Sequence, residues 1–456
     1  MNTAAAEDIQ GRKITVVGLG KSGLAVARFC RQQGARVTVT DRAARAQFET
    51  EAQQLQTMGV TLEFGAHRPA TFLQTDLIVL SPGVPHTIEP VAAARHHGIP
   101  VIGEIELAAR YIEQPIIAIT GTNGKTTTTE LLGHMLTASG QRVFVGGNIG
   151  NPLINYVAEG QRRDWLVIEV SSFQLDTIER FRPRIGILLN VSADHLDRYP
   201  SFEAYAESKM QLFANQTDSD TAILNAGDPF SRAAARHVRG QVLLFNAAAT
   251  NTGGQARITG DHIDFKLADG RSHAIDLTHW QLTGGHNREN AAAAGLAALA
   301  AGATPEGLQT ALNGFRSLAH RLTQVKTARG IRYYDDSKAT NVDAVCRALE
   351  GFDTPVVLIM GGRDKGGGYR ALETRVQKKV RALVVMGEAA ENITTALGHL
   401  VPTVQAGDMA EAVRLAAGRA RTGDVVLLSP ACASFDMYDS YHQRGEDFCR
   451  HVQQLP

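Results

Sequence analysis

Ile116-Ile-Ala-Ile-Thr-Gly-Thr-Asn-Gly-Lys-Thr126 is the stretch whose reading decides the fold. Its first five residues are mostly β-branched, the composition of a strand buried on both faces of a parallel sheet. The next six end in Gly-Lys-Thr and run into a helical pattern, Thr127 to Leu136. Strand, glycine turn and helix in that order present free backbone N–H groups and the positive end of a helix dipole to phosphate oxygens. Lys125 can neutralise β/γ-phosphate charge and Thr126 can offer its hydroxyl to Mg²⁺. Ile119 stands where the full G-x-x-x-x-G-K-[ST] pattern has its first glycine, which points to a particular subset of P-loop enzymes. A plain glycine turn between strand and helix is the alternative.

Outward from this loop, short β-branched runs alternate with longer helical patterns, the signature of βαβ units and parallel sheets. The expected fold class is α/β in three domains. Residues 1–104 form an N-terminal Rossmann-like domain with strands at Lys13-Ile-Thr-Val-Val17, Arg36-Val-Thr-Val-Thr40, Leu77-Ile-Val-Leu80 and Val101-Ile102. Residues 105–317 form a central P-loop-type domain with a mostly parallel sheet. Its further strands begin at Trp165, Ile185 and Thr221, a hairpin on the sheet edge is expected within Ile258–Leu277, and an alanine-rich helix runs from about Asn287 to Ala301. Residues 318–456 form a C-terminal Rossmann-like domain with strands at Val356, Ala382 and Asp424 and a last helix from about Tyr438 to Gln453.

In the first domain Gly18-Leu-Gly-Lys-Ser-Gly23 follows a strand and opens a helix, with Asp41 ending the next strand. That satisfies the dinucleotide fingerprint and by itself would suit a nicotinamide dehydrogenase. Physically the glycines supply only a close approach of backbone to a diphosphate, which any nucleotide diphosphate can use, or else tight strand–helix packing. Ser81-Pro-Gly-Val-Pro85 ends another strand of this sheet, where parallel sheets bind ligands, and reads equally as a rigid turn. Gly146-Gly-Asn-Ile-Gly150 offers Asn148 among flexible backbone.

Composition narrows the field. Lys plus Arg and Asp plus Glu both number 46, so no global field attracts nucleic acid or an anionic membrane. No run of eighteen apolar residues could span a bilayer, and Met1 to Lys13 lacks a secretory signal, so a cytoplasmic protein is expected. Cys30, Cys346, Cys432 and Cys449 make no C-x-x-C pair and read as reduced packing residues.

Seven segments, taken together and in order, resemble the Mur ligases of cell-wall synthesis, and among them the glutamate-adding branch. They are Thr120–Thr126, Glu169-Val-Ser-Ser-Phe-Gln-Leu175, Asn190-Val-Ser-Ala-Asp-His-Leu-Asp197, Gly285-His-Asn-Arg-Glu-Asn290, His320-Arg321, Asp336-Ser-Lys-Ala-Thr-Asn341 and Ser429-Pro-Ala-Cys-Ala-Ser-Phe-Asp436. The resemblance covers nearly the whole chain. It implies three domains binding the UDP-sugar, ATP and the incoming amino acid, and a cytoplasmic monomer. It further implies ATP-dependent addition of glutamate to UDP-N-acetylmuramoyl-L-alanine through an acyl phosphate.

The resemblance also implies site residues. Gly121, Thr122, Asn123, Gly124 and Thr127 complete the ATP loop, while Lys125 and Thr126 hold the phosphates and one Mg²⁺, with Glu169 a further carboxylate there. His195 matches a ligand of a second Mg²⁺; alone it reads as a satisfied loop histidine. Lys209 matches the lysine this family carries as a carbamate, whose oxygens can ligate a metal as an ammonium cannot; alone it reads as a solvated helix lysine. Asn287 and Asn290, one turn apart, match adenine contacts or else cap the helix. Arg321 matches a γ-phosphate contact, and Asp336 and Lys338 match residues near the ribose and phosphates. Thr340, Lys365, Ser434 and Phe435 match the amino-acid site, and Gly20, Lys21, Ser22, Asp41, Gly83 and Asn148 the UDP-sugar side. Lys365 alone would read as part of a surface loop.

Two departures from the family pattern bear on this. Family members often show Asp-x-Arg after the second strand, whereas here Asp41-Arg42 is followed by Ala43 with Arg45 further on, which leaves the arginine at the base open. Tyr441 stands where Phe is common. The competing readings are the dehydrogenase, which leaves Lys125 unexplained, and a non-catalytic ATP-binding module, which gives Glu169, His195 and Lys209 no purpose. A related ligase such as a folylpolyglutamate synthase is disfavoured by the Gly18 domain.

Overall fold

The computed structural model describes residues 8–246, 255–267, 270–282, 284–316, 319–364, 366 and 368–456. The described chain forms two compact units. One holds the residues up to Val191 with Ala206–Thr278 and Asn290–Leu312; the other holds Ser192–Tyr205, His279–Glu289 and Asn313–Pro456. Among the described residues no helix is long and apolar enough to cross a membrane, and all four cysteines are free.

In the first unit, β1 (Lys13–Val17), β2 (Arg36–Asp41), β3 (Thr61–Phe64), β4 (Leu77–Leu80) and β5 (Val101–Gly103) form a parallel sheet of order β3-β2-β1-β4-β5. The strand order reverses between β1 and β4, so the loops after them flank a topological switch point, where such sheets take ligands. Ser81 Oγ donates to the Gly18 carbonyl at 2.8 Å. A Cβ on Gly23 would lie 1.9 Å from the Gly18 oxygen, so this glycine serves close strand–helix packing.

The same unit contains a second sheet of β6 (Ile116–Thr120), β7 (Val143–Gly147), β8 (Trp165–Glu169), β9 (Ile185–Leu188), β10 (Thr221–Asn225) and β11 (Gln241–Phe245). All pairs are parallel, in the order β11-β10-β9-β6-β8-β7. All five residues of β6 are buried, as its apolar composition requires. The expected edge hairpin is corrected. β13 (His262–Lys266) and β14 (Ser272–Asp276) pair as foreseen, but with β12 (Ala256–Thr259) they make a separate antiparallel sheet. Phe265 points from it onto Gly295 of the helix Gly285–Ala300, where a Cβ would come within 2.6 Å of the ring. Burying that ring on a helix outweighs extending a sheet edge.

Two glutamates fasten the helix Glu104–Ala109, which follows β5, to segments of the second sheet's half of the unit. Glu106 Oε2 accepts the backbone N–H groups of Glu179, Arg180 and Phe181, each at 2.9 Å, and Arg110 Nε donates to Glu106 Oε1 at 3.0 Å. Glu104 Oε1 accepts the Ile154 N–H at 2.7 Å.

The second unit carries β15 (Thr323–Ala328), β16 (Ile331–Asp335), β17 (Val356–Gly361), β18 (Val380–Met386), β19 (Thr403–Gln405) and β20 (Val425–Leu428) in the order β15-β16-β20-β17-β18-β19. Only β15 is antiparallel to its neighbour. The sequence pattern shows three of these six strands, those at Val356, Ala382 and Asp424. β16 alternates buried with half-exposed residues, β15 is half-exposed or exposed except at Ala328, and β19 has only three residues, so none carries a continuous apolar run. Leu358, Met360, Leu383 and Leu427 face one core, and Val357, Ile359, Val384 and Val426 the other. Helices on both faces bury both.

Burial lifts the Glu104 carboxyl from its ordinary 4.5 to about 7. The folded chain therefore holds a proton that the unfolded chain releases between those pH values. Its contribution to stability is full below about pH 4.5 and is lost as the pH rises through 7, by up to about 3 kcal/mol. Denaturant unfolding of wild type and Glu104→Gln from pH 5 to 8 should show a steeper fall for wild type; parallel curves would mean that Glu104 does not titrate in this range.

Candidate functional site

At the C-terminal end of β6, Gly121 (φ +155°) and Gly124 (φ +86°) turn the chain into the helix Lys125–Ala138. A Cβ on Gly124 would lie 2.3 Å from Asn290 Oδ1, so the loop and the start of the alanine-rich helix meet there. The loop is held by Asn190, just beyond β9. Its side chain accepts the Asn123 N–H at 2.9 Å and donates to the Asn123 carbonyl at 3.1 Å, and its carbonyl accepts the Thr122 N–H at 3.0 Å. Sequence reading quoted Asn190 within a motif without giving it a role; only its place directly after a strand could have hinted at one.

Two ammonium groups converge on the loop. Lys125 Nζ donates to the carbonyls of Gly121 and Thr122 at 2.8 and 2.9 Å, and Lys209 Nζ donates to the Gly121 carbonyl at 2.9 Å. Lys209 is 1% exposed, which overturns its reading as a solvated helix lysine. A buried ammonium is costly unless paired, so its place against the loop is a specific one. Thr126 Oγ1 donates to Glu169 Oε2 at 2.8 Å, and Asn148 Nδ2 donates to Glu169 Oε1 at 2.9 Å. Thr127 is buried in the first helical turn. A hydroxyl beside a buried carboxylate is a donor set that a hard cation such as Mg²⁺ takes together with phosphates and water. Among the described residues, no group of three or more His, Cys, Asp or Glu gathers for a metal.

The switch point of the first sheet encloses a cavity of about 170 Å³ whose lining includes Gly18, Asp41, Arg42, His67, Gly83 and Pro85. Gly20, Lys21 and Ser22 open the helix beside it. Asp41 accepts the Leu19 N–H at 2.7 Å through Oδ2 and the Ala43 N–H at 2.8 Å through Oδ1, so it shapes the loop. Arg42 lines the cavity, whereas Arg45 reaches Gln56 and Glu49. His67 was missed by sequence reading. Its Nδ1 lies 3.0 Å from Thr40 Oγ1, and desolvation lowers its pKa, which favours the neutral ring.

In the second unit the loops after β16, β17 and β20 meet around Arg444. This guanidinium, 2% exposed, donates to Ser337 Oγ and to the carbonyls of Ser337, Gly361, Cys432 and Ala433 at 2.8–3.4 Å. Burial lowers its pKa to about 10. Beside these loops a cavity of about 400 Å³ is lined by Asp194, Thr340, Asn341, Gly366, Gly368 and Arg375 among others. Asn341 caps the helix Val342–Glu350 and donates to Asp194 Oδ2 at 3.1 Å. Lys365 lies outside the described residues.

Ser434 is buried and Phe435 is 64% exposed. Lys338 Nζ stands 4.9 Å over the Tyr441 ring, a contact that a Phe there would preserve. Asp336 accepts from Ser429 Oγ at 2.9 Å and from the Leu322 N–H at 3.2 Å, and desolvation lifts its carboxyl to about 7. His195, at φ +56°, receives its neighbour Asp194 both on its N–H at 2.9 Å and beside Nε2 at 3.6 Å. Asn287 lies in the first turn of the helix Gly285–Ala300.

The MurD-like N-terminal domain of Mur ligases matches residues 12–103, the Mur ligase middle domain residues 119–298, and the Mur ligase glutamate ligase domain residues 320–432. A UDP-N-acetylmuramoylalanine--D-glutamate ligase of Desulfatibacillum aliphaticivorans is 53% identical over 449 residues, covering 98% of this chain and all of the relative. One from Desulfosudis oleivorans is 50% identical, covering 98% and 97%. In fold, the chain is similar to MurF ligase from Thermotoga maritima, solved in complex with ADP (TM-score 0.61, 17% identity, full coverage of both chains). It is similar also to UDP-N-acetylmuramate-alanine ligase MurC from the same organism (TM-score 0.60, 19% identity, 97% and 99% covered).

Asn190→Ala removes two hydrogen bonds from the phosphate-type loop, a loss of about 1–3 kcal/mol. Titration calorimetry with a non-hydrolysable ATP analogue should show binding weakened about tenfold or more, with UDP-sugar binding unchanged. Equal affinity would show that the loop holds its shape without Asn190.

Proposed function

This chain belongs to the Mur ligase family, and on that premise we propose that it is an ATP-dependent ligase. It adds glutamate, in the D configuration named for its relatives, to UDP-N-acetylmuramoyl-L-alanine in peptidoglycan precursor synthesis. The observation that carries the reading is the glycine loop flanked by Lys125, the Thr126–Glu169 pair and buried Lys209, in a chain about half identical to such ligases along nearly its full length. Residues 1–104, 105–317 and 318–456 are then the UDP-sugar, ATP and amino-acid domains.

The reaction transfers the γ-phosphoryl group of ATP to the alanyl carboxylate and releases ADP. The glutamate amine then attacks the acyl carbon, and the tetrahedral intermediate expels phosphate. A carboxylate alone would have to expel oxide, whereas phosphate is a good leaving group, so the protein's task is positioning and charge neutralisation. Lys125 and Arg321 stabilise charge on the transferring group, in the manner of phosphoryl-transfer sites. Mg²⁺ would be held by Thr126 and Glu169, and a second ion by His195 and Lys209, once Lys209 is a carbamate; the ions supply charge neutralisation on the phosphates. Asn287 and Asn290 hold the adenine, Asp336 and Lys338 the ribose and phosphates. Gly20, Lys21, Ser22, Asp41, Gly83 and Asn148 serve the UDP-sugar. Thr340, Lys365, Ser434 and Phe435 receive glutamate, whose two carboxylates need cationic and hydroxyl partners. ATP and a nucleotide-activated substrate place the reaction in the cytoplasm.

The test is phosphate release from ATP and Mg²⁺ with UDP-N-acetylmuramoyl-L-alanine and D-glutamate, L-glutamate or no amino acid. Release should require both the nucleotide sugar and D-glutamate. No release with either enantiomer would overturn the reading, and release with L-glutamate alone would overturn the stereochemistry.

A further inference from the structure

Two residues just before β15 are non-glycine residues on the left-handed side of backbone space, His320 at φ +63° and Leu322 at φ +46°. Arg321 lies between them. Such conformations are strained for side chains with a Cβ and persist only where surroundings impose them. Here the surroundings are the residues that end and follow β16. His320 Nδ1 lies 2.6 Å from Asp335 Oδ2, the Leu322 N–H donates to Asp336 Oδ1 at 3.2 Å, and the His320 carbonyl accepts the Lys338 N–H at 3.1 Å. Asp335 is itself set, its Oδ1 accepting the Ser337 N–H at 2.9 Å.

Room for the His320–Asp335 pair comes from the last helix, Tyr441–Gln453. A Cβ on Gly445 would lie 2.1 Å from His320 Nδ1 and 2.8 Å from Asp335 Oδ2. The rings of Tyr441 and His442 stand edge-on to His320, with centroids 6.4 and 5.2 Å away. The pair is largely shielded from solvent, its side chains 10% and 2% exposed. Hydrogen bonding to Asp335 raises the His320 pKa; Glu446 also acts to raise it and Lys338 to lower it, while Cys449 Sγ stands 3.5 Å from Asp335 Oδ2.

We propose that His320 and Asp335 are positioning residues for Arg321: their hydrogen bond locks the strained backbone and so aims the guanidinium at the transferring phosphoryl group. The inference rests on the phosphate-binding reading of Arg321 above. Without the lock, His320 and Leu322 relax towards negative φ and the Arg321 side chain leaves the backbone in another direction. A misplacement of about 1 Å can cost on the order of 100-fold in rate.

The test is a kinetic cycle on the full chain. His320→Ala should lower kcat about 10- to 100-fold with KM for the UDP-sugar nearly unchanged, and His320→Ala combined with Arg321→Ala should be no slower than Arg321→Ala alone. His320→Asn should recover most of the loss, since Asn tolerates positive φ and keeps an N–H donor. Gly445→Ala should reproduce the defect with both members of the pair intact. Wild-type kcat in His320→Ala beside a crippled Arg321→Ala, or losses that multiply in the double variant, would overturn the positioning role alone. A fully active Arg321→Ala would overturn the phosphate reading of Arg321, and the positioning role with it.

Discussion

Parallel strand pairing is the constraint on which the rest of this structure depends. Where β1 and β4 in one sheet, and β9, β6 and β8 in another, run side by side in the same sense, their C-terminal ends lie along one edge of each sheet, and every connection leaving that edge begins with backbone groups the ladder no longer satisfies. Gly18, Ser81, Gly121, Glu169 and Asn190 all stand at such ends. The polar chemistry is therefore concentrated where the fold leaves polar groups to be used, and the apolar strands behind it supply the rigid base.

A few side chains, buried or half-buried, hold loop segments in shape, each by several bonds to backbone. Asn190 makes three with the glycine loop, Asp41 two with the turns after β1 and β2, and Glu106 accepts three consecutive N–H groups. Arg444 joins three separate loops through one guanidinium. A carboxylate or guanidinium is suited to this, because one rigid group offers several lone pairs or N–H donors, and bonds to charged groups are worth roughly 1.5–3 kcal/mol each. Desolvation offsets part of that gain, as the lowered pKa of Arg444 and the raised pKa of Glu104 record. Precision of the loops is thus obtained at a cost in stability, which large apolar cores such as those on both faces of the second unit's sheet can sustain.

Legibility followed the range of the interactions. The glycine loop after β6, the fingerprint after β1 and the helix Gly285–Ala300 rest on neighbouring residues, and their patterns were readable. The inner strands were readable from continuous apolar runs. β15 and β19 were not, since a mostly exposed or three-residue strand carries too weak a period, nor was β16, whose alternation spans only five residues; the hairpin was misplaced because its partner surface, Gly295, lies some thirty residues further along the chain. Lys209 shows the same limit within the site: one lysine on a polar helix says nothing of burial, which is set by the approach of the loop at Gly121, 88 residues earlier in the sequence.

By itself, then, the sequence determined the α/β class, the order of the phosphate-type loops and the family, because strand periodicity and glycine spacing are local and the motif residues occur in fixed order. Only the tertiary structure decided which side chains hold those loops in shape. Asn190 on Asn123, His320 on Asp335 with Gly445 making room, and Arg444 across three loops each join residues distant along the chain. The physical reason is that such bonds exist only after the apolar core has fixed where strand ends lie, and nothing in a residue's neighbours along the chain encodes that meeting.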